Sequence, residues 1–203
     1  QQQAVDEIKQ YLWAGTETTA LTLAWALYLL SLHPEASARV IKESEEVLGE
    51  REPTVADYTA LIYTRSVIQE TMRLYPPVWG LIRVAAKDDV IGGKEIKAGD
   101  RIVLFGYSAH HNPRFWDEPE EFRPERWMDK TAKRQVKYSY IPFGAGKRSC
   151  IGGAMSQVEN TLALALLLRR FRPEYVGPKP AGINATVTLT PKGGLMFKMH
   201  EIN

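Results

Sequence analysis

The most extended apolar pattern lies in the first 32 residues of the chain. Val5, Ile8 and Leu12 recur at helical spacing, and further along apolar side chains lie around most of the helix. The pattern predicts one long helix over residues 4–32 whose second half is covered on several sides. Its apolar run, residues 20–32, has 13 residues, fewer than the roughly 20 that span a bilayer. A buried helix is therefore predicted.

Three further helices are predicted. A proline suits the first turn of a helix over residues 35–48. Thr54 and Asp57 have the spacing of a capping box, so the next helix is expected to begin there and to run to about Leu74. A second strongly apolar helix is predicted over residues 151–171.

Two parts of the chain have the pattern of strands. Between residues 82 and 105, short apolar runs alternate with glycine turns. Residues 187–189 and 195–199 flank a Pro-Lys-Gly-Gly turn and predict a closing hairpin. The sequence contains no internal repeat. The predicted helices and short strands together indicate a fold class that is mainly α with a small β region.

The composition of the chain excludes several classes of structure and function. The chain has 44% hydrophobic and 25% charged residues, which excludes wholesale disorder. Its net charge of +2 indicates neither nucleic acid nor a membrane surface as a partner. The single cysteine, Cys150, excludes an internal disulfide and a multi-cysteine metal site. The chain opens on Gln-Gln-Gln without an initiator Met, so we expect it to be part of a longer protein.

The strongest chemical motif surrounds that cysteine, at residues 143–152. Its glycines allow tight turns and close approach of the backbone to a ligand. Cys150 comes just before an apolar helix, whose N-terminal dipole favours a thiolate. A phosphate loop fails because Ile141 stands where Gly is needed and Arg148 where Ser or Thr is needed. A lone buried cysteine is the other alternative.

Two further motifs carry charge on helices. Glu70 and Arg73 share one helix face among apolar neighbours, so they form either a solvated pair or a buried pair. A buried pair needs further partners, which residues 122–127 could supply. Residues 14–19, Ala-Gly-Thr-Glu-Thr-Thr, weaken the long helix, since Gly alone costs about 1 kcal/mol relative to Ala. They indicate either a functional helix defect or a polar helix face.

Together these motifs resemble the cytochrome P-450 family of haem-thiolate monooxygenases. The cysteine loop F-x-x-G-x-R-x-C-x-G, the E-x-x-R pair and the helix motif [AG]-G-x-[DE]-T-[TS] occur in the family's order. The resemblance covers residues 1–203 but only the C-terminal half of the family's pattern. It implies a single partial domain with a P-450-like fold, the haem-binding half of such an enzyme.

The resemblance implies a role for each matched residue. Cys150 is expected to be the proximal thiolate ligand of the iron of haem b. Thr18 is expected to steady bound dioxygen, with Glu17 as the acid beside it. The expected haem-binding residues are Phe143, Gly146, Arg148 and Gly152, with Arg83 and His110 as less specific candidates; His110 as an ordinary loop histidine is the alternative. The expected buried network that holds the haem-binding core is Glu70, Arg73 and Arg126.

The resemblance also implies partners. These are dioxygen, a small apolar organic substrate, and an electron-donor protein of the flavin reductase, flavodoxin or ferredoxin type, with no nucleic acid. Residues 123–148 carry eight Lys and Arg against Glu125 and Asp129, a basic surplus that would steer an acidic donor or would be a solvated loop. Trp79, Leu81 and Thr188 are candidates to line the substrate pocket.

Two other classes of function stay open at this stage. One is a non-catalytic helical remnant that binds no haem because the rest of the pocket is missing. The other is a thiol redox sensor that acts through Cys150. Nothing in the sequence requires a membrane anchor, so cytoplasmic localisation is the expectation.

Overall fold

The structure, a computed structural model, describes residues 2–128 and 136–202. The helices are α1 (Gln2–Leu32), α2 (Pro34–Leu48), α3 (Ile62–Leu74), α4 (Gly106–His110) and α5 (Gly153–Arg170). Short 3-10 helices span Val55–Thr59, Pro124–Trp127 and Gly146–Arg148. The strands are β1 (Leu81–Val84), β2 (Asp89–Ile91), β3 (Lys94–Ile96), β4 (Arg101–Leu104), β5 (Phe171–Tyr175), β6 (Ile183–Ala185), β7 (Leu189–Pro191) and β8 (Phe197–Glu201). The predicted class, mainly α with a small β region, is confirmed.

The main core lies where α1, α2, α3 and α5 pack together. Ala26 and Leu30 of α1 meet Val67 of α3 and Leu164 of α5, and each is at most 1% exposed. The second half of α1 is covered on several sides, as its pattern predicts. The first half is open to solvent: Leu12 and Trp13 are 65% and 63% exposed. No described helix is long and apolar enough to cross a membrane.

The predicted helix from Thr54 to Leu74 is instead a 3-10 turn and a separate helix. The capping box is present: the Asp57 carboxylate accepts the Thr54 N–H at 2.7 Å. That carboxylate also accepts hydrogen bonds from Arg51, which hold the pKa of Asp57 well below its usual range. The cap serves only the 3-10 turn, because the chain leaves helical geometry at Leu61 (φ −78°, ψ 63°).

Helix α3 is capped from another helix. The Glu43 carboxylate of α2 accepts the N–H of Tyr63 at 2.6 Å and the N–H and hydroxyl of Thr64 at 2.8 and 2.7 Å. The first N–H groups of a helix have no partner within the helix, and the positive end of its dipole favours an anion. Glu43 meets both requirements and fixes α3 against α2.

The strands form four separate two-stranded antiparallel ladders. β2 and β3 form a hairpin about Gly92 and Gly93, as predicted, and β1 pairs with β4. The predicted closing hairpin is wrong, because β7 pairs with β6 and β8 pairs with β5. β5 follows α5 directly and offers β8 a ladder of five residue pairs, and the rings of Tyr175 and Phe197 pack 5.7 Å apart across it.

We expect Glu43→Ala to lower the free energy of unfolding by about 1–2 kcal/mol, because three donors at the start of α3 lose their acceptor. Urea denaturation measures this change. Glu45→Ala, an exposed substitution on the same helix, is the matched control and should change the stability by less than about 0.5 kcal/mol. Equal effects of the two variants would contradict the capping role of Glu43.

Candidate functional site

Cys150 lies on an exposed loop, three residues before the first residue of α5. Its backbone N–H donates to the Phe143 carbonyl at 2.9 Å, and the Ser149 N–H donates to the Gly146 carbonyl at 3.1 Å. These bonds close the loop on itself. The thiol is therefore free, exposed and held on a backbone of defined shape.

Glycines shape the loop for two different reasons. Gly144 (φ 71°) and Gly146 (φ 73°) occupy the left-handed region that side chains disfavour. At Gly144, a Cβ atom would also lie 3.1 Å from the Leu81 side chain of β1. At Gly153, a Cβ atom would lie 3.2 Å from the ring of Phe143, so that ring packs directly on the start of α5. At Gly152, by contrast, a Cβ atom would make only an ordinary contact, 3.8 Å from the Cys150 sulfur.

Some of the predicted haem-binding residues are exposed near the cysteine, and others are partly or fully buried. Arg148 is exposed on the cysteine loop, and Arg83 is exposed in β1. Arg83 and Leu81 are two apart in that strand, so both side chains lie on the face against which Gly144 packs. Phe143 is half-buried and packs against the main core. His110 lies elsewhere, in the interior.

The Glu70 carboxylate is fully buried and accepts five N–H groups. Arg73 donates to it through Nε at 3.0 Å and through one terminal nitrogen at 2.9 Å. The side chains of Arg126 and Trp127 donate at 2.9 and 2.8 Å, and the backbone N–H of Arg123 donates at 3.0 Å. The predicted network of Glu70, Arg73 and Arg126 is thus a buried, connected group in the structure.

Arg73 is equally well satisfied. Besides Glu70, its guanidinium donates to the carbonyls of His110, Pro119 and Glu121 at 2.8, 2.6 and 3.1 Å. All five of its N–H groups therefore have acceptors. The indole ring of Trp116 covers the guanidinium, with its ring centroid 5.1 Å away. A charge with no exposed surface is stable here because every donor is bonded.

His110 joins this network through its backbone and the cysteine loop through its ring. The ring is fully buried, and its Nε2 accepts the backbone N–H of Ile141 at 2.9 Å. Burial lowers the pKa of His110 to about 4; the backbone carbonyls of Arg73 and Met72 oppose this, and the electrostatic interactions with His111 and the Arg73 guanidinium add to it. The ring is thus neutral near pH 7. This placement gives no support to a contact between His110 and a haem carboxylate.

Thr18 and Glu17, in the motif of the long helix, bind different parts of the structure. The Thr18 hydroxyl donates to the Ala14 carbonyl at 2.7 Å, one turn back along α1. The Glu17 carboxylate instead accepts the hydroxyl of Thr188, at 2.7 Å, from the turn between β6 and β7. The structure therefore brings Glu17 to Thr188 rather than to Thr18. Thr188 is only 6% exposed.

Sequence reasoning missed two features of these contacts, the tryptophans beside the buried network and the bond between Thr188 and Glu17. Trp127 and Trp116 complete the Glu70–Arg73 network; residues 122–127 were expected to supply a partner to the pair, and Trp116 lies outside that segment. Thr188 was expected near a substrate, and its bond to Glu17 spans 171 residues of sequence. Tryptophan in a charged, proline-rich segment was a weak signal for the first. Nothing in the local sequence indicated the second.

The basic surplus of residues 123–148 is partly used inside the protein. Arg126 binds Glu70, and Arg123 pairs with Asp117 at 3.3 Å. Lys137, Lys147 and Arg148 are exposed. The remaining charges that the prediction counted, Asp129, Lys130, Lys133 and Arg134, lie outside the described residues.

Comparison with known proteins gives one family. The cytochrome P-450 family profile matches residues 1–199. Cyclooctat-9-en-7-ol 5-monooxygenase of Streptomyces melanosporofaciens is 42% identical over 170 residues, which are 84% of this chain and 37% of that protein. LUTEIN DEFICIENT 5 of Arabidopsis thaliana is 38% identical over 194 residues, 94% of this chain and 33% of that protein. The chain thus spans a third or slightly more of the length of these relatives.

We expect Glu70→Gln to lower the free energy of unfolding by about 3–5 kcal/mol, because the Arg73 charge would stay buried without its counter-ion. Glu125→Gln is the matched control: Glu125 pairs with Arg39 where both side chains are about half exposed. Such pairs contribute about 0–1 kcal/mol. Chemical denaturation compares the two, and a Glu70→Gln loss below about 1 kcal/mol would contradict the role of the network.

Proposed function

Because the chain belongs to the cytochrome P-450 family, we propose that it supplies the haem-thiolate part of a monooxygenase that inserts one oxygen atom of dioxygen into an organic substrate. The observation that carries the proposal is the free, exposed thiol of Cys150 on a loop of fixed shape at the start of α5. The relative from Streptomyces melanosporofaciens is named for a monooxygenation, the reaction type proposed here.

The residues present fit a haem group. Cys150 offers one free, exposed thiol, and a haem iron bound by a Cys thiolate needs one such ligand from the protein. Exposed apolar side chains next to Cys150, Ile151 at 86% and Met155 at 72%, suit a porphyrin surface. Arg148 and Arg83 are exposed cations that would bind its carboxylates.

Haem b, when bound through Cys150, supplies an iron that activates dioxygen, and thiolate donation favours O–O cleavage. The chain's own residues then hold the sulfur and manage protons. The hydrogen bond from the Cys150 N–H to the Phe143 carbonyl fixes the backbone that carries the sulfur. Phe143, packed on Gly153, holds the loop against the core.

Thr18 and Glu17 are proposed to deliver protons. The Thr18 hydroxyl donates to Ala14, so its oxygen lone pairs can still accept a hydrogen bond. Glu17 is half-buried and can donate a proton only after it has taken one up. Because its carboxylate binds Thr188, a proton from Glu17 reaches Thr18 after Glu17 turns or through an intervening water.

The partners follow from the proposed reaction. Two electrons would come from a flavin- or iron–sulfur-containing donor protein, and the exposed cations Lys137, Lys147 and Arg148 favour an acidic one. A small apolar substrate suits Trp79 and Leu81, which lie where β1 begins. The indole N–H of Trp79 donates to the Thr186 carbonyl at 2.9 Å, which draws this segment to the turn that carries Thr188.

We expect the haem-loaded chain, reduced and treated with carbon monoxide, to give the long-wavelength Soret band of a haem-bound thiolate. Cys150→Ser should lose that band while circular dichroism stays unchanged, because the exposed thiol makes no contact in the core. Difference spectroscopy measures this. If the unsubstituted chain shows no such band, the chain is a haem-free remnant or a thiol protein, and the proposal is wrong.

In the haem-loaded enzyme with its electron donor, we expect Thr18→Ala to lower the product formed per electron pair severalfold, because proton delivery loses its hydroxyl. Thr16→Ala is the matched control, since the Thr16 hydroxyl donates to the Leu12 carbonyl at 2.6 Å in the same way. Product and electron consumption are measured together. Equal coupling in the two variants would overturn the assignment of Thr18.

A further inference from the structure

His110 lies between the buried charge network and the cysteine loop, and the reaction proposed above uses none of its chemistry. Its carbonyl accepts a hydrogen bond from Arg73 at 2.8 Å, and its ring Nε2 accepts the Ile141 N–H at 2.9 Å. The side chain has no exposed surface. Its two ends therefore bind two different parts of the fold.

The ring is held in one tautomer. Because Nε2 accepts an N–H, the proton of the neutral ring must be on Nδ1. Within residues 2–128 and 136–202, Nδ1 has no partner with hydrogen-bond geometry. A buried donor without a partner is unfavourable. The backbone carbonyls of Arg73 and Met72 nevertheless act on the ring and raise its pKa against the effect of burial. Among the described residues, the bond from the Ile141 N–H to Nε2 is thus the hydrogen bond of the ring that has good geometry.

Ile141 passes this constraint to the cysteine. Its own carbonyl accepts the Gly144 N–H at 3.0 Å, which closes the first turn of the loop. Two residues after Ile141, the Phe143 carbonyl accepts the Cys150 N–H at 2.9 Å. A continuous series of bonds thus runs from the buried network through His110 and Ile141 to the backbone of Cys150.

We propose that His110 is a positioning residue that couples the buried Glu70–Arg73 network to the loop that carries Cys150. Its neutral ring holds the Ile141 peptide, and the loop keeps the shape that presents the thiol. The importance of this coupling for haem binding rests on the proposed function. The coupling itself is a property of the chain without haem.

Protonation of His110 breaks the coupling, because a protonated ring has two donors and no acceptor. The groups that face the ring are the guanidinium and carbonyl of Arg73 and the carbonyl of Met72 from α3, the following residue His111, and the ring of Tyr140, 5.4 Å away. The electrostatic interactions with His111 and the Arg73 guanidinium disfavour a charged His110. In the folded chain its pKa is lowered to about 4 from 6.5, so its share of stability is present above pH 6.5 and is lost as the pH falls toward 4.

Amide hydrogen exchange tests the proposal on the chain without haem. His110→Phe keeps a ring and removes the acceptor, so the Ile141 amide should exchange about five- to tenfold faster at pH 7. His110→Gln is the rescue variant, because its amide oxygen can accept the same N–H and does not titrate. It should restore slow exchange. The Leu164 amide in the core of α5 is the internal control and should stay protected in all three proteins.

The acid response is a second measurement that does not depend on the folding of His110→Phe. Below pH 4, the unsubstituted chain should lose protection at Ile141 relative to its intrinsic exchange rate, and His110→Gln should retain it. Equal acid responses of these two proteins would overturn the proposal. Unchanged Ile141 exchange in a folded His110→Phe would also overturn it.

A failure of the proposed function can be distinguished from a failure of the proposed coupling by the Soret band. A chain that gives no thiolate-type Soret band fails as a haem protein whatever the exchange of Ile141 shows. If the chain does bind haem, His110→Phe should lose it several times faster than His110→Gln, because the Cys150 loop is less well held. Equal haem loss, together with a normal Soret band in the unsubstituted chain, would contradict the coupling and leave the haem site standing.

Discussion

The rest of the structure depends on one buried negative charge, the carboxylate of Glu70. An isolated carboxylate in a protein interior is very unfavourable, so it must be matched by charge and by hydrogen bonds. Here Arg73 and Arg126 supply the charge, and five N–H groups supply the bonds. Three of those groups come from the segment 123–127. That segment cannot leave α3 without breaking three of the hydrogen bonds that stabilise the buried charge.

The need to pair these buried charges also fixes a segment of the chain that has little regular secondary structure. Residues 111–128 contain few helical or strand hydrogen bonds, and buried backbone groups must still be paired. Arg73 donates hydrogen bonds to the carbonyls of Pro119 and Glu121 in this segment and to the carbonyl of His110 just before it. A guanidinium is suited to it, because its five N–H groups spread in a plane and reach several carbonyls at once.

The features that could be predicted from the sequence are those that depend on local interactions. Helical periodicity and the Gly92–Gly93 turn act over a few residues, and α1, α2, α5 and the β2–β3 hairpin were predicted. The family motif also gave Arg126 as the third member of the network. The cap of α3 by Glu43 and the β5–β8 ladder join residues far apart in sequence and leave no local pattern. His110 was a less specific candidate to bind a haem carboxylate, with an ordinary loop histidine as the alternative, and only packing shows that it is buried.

The distribution of exposure separates two parts of the site. Glu70, Arg73 and His110 are fully buried, and their charges and most of their polar atoms are paired within this chain. Cys150, Ile151 and Arg148 are exposed on the other side of the loop. The buried part holds the backbone of the loop through the hydrogen bonds of His110 and Ile141. The exposed part can therefore be preformed before any group binds to it, and binding need not supply the energy to order the loop.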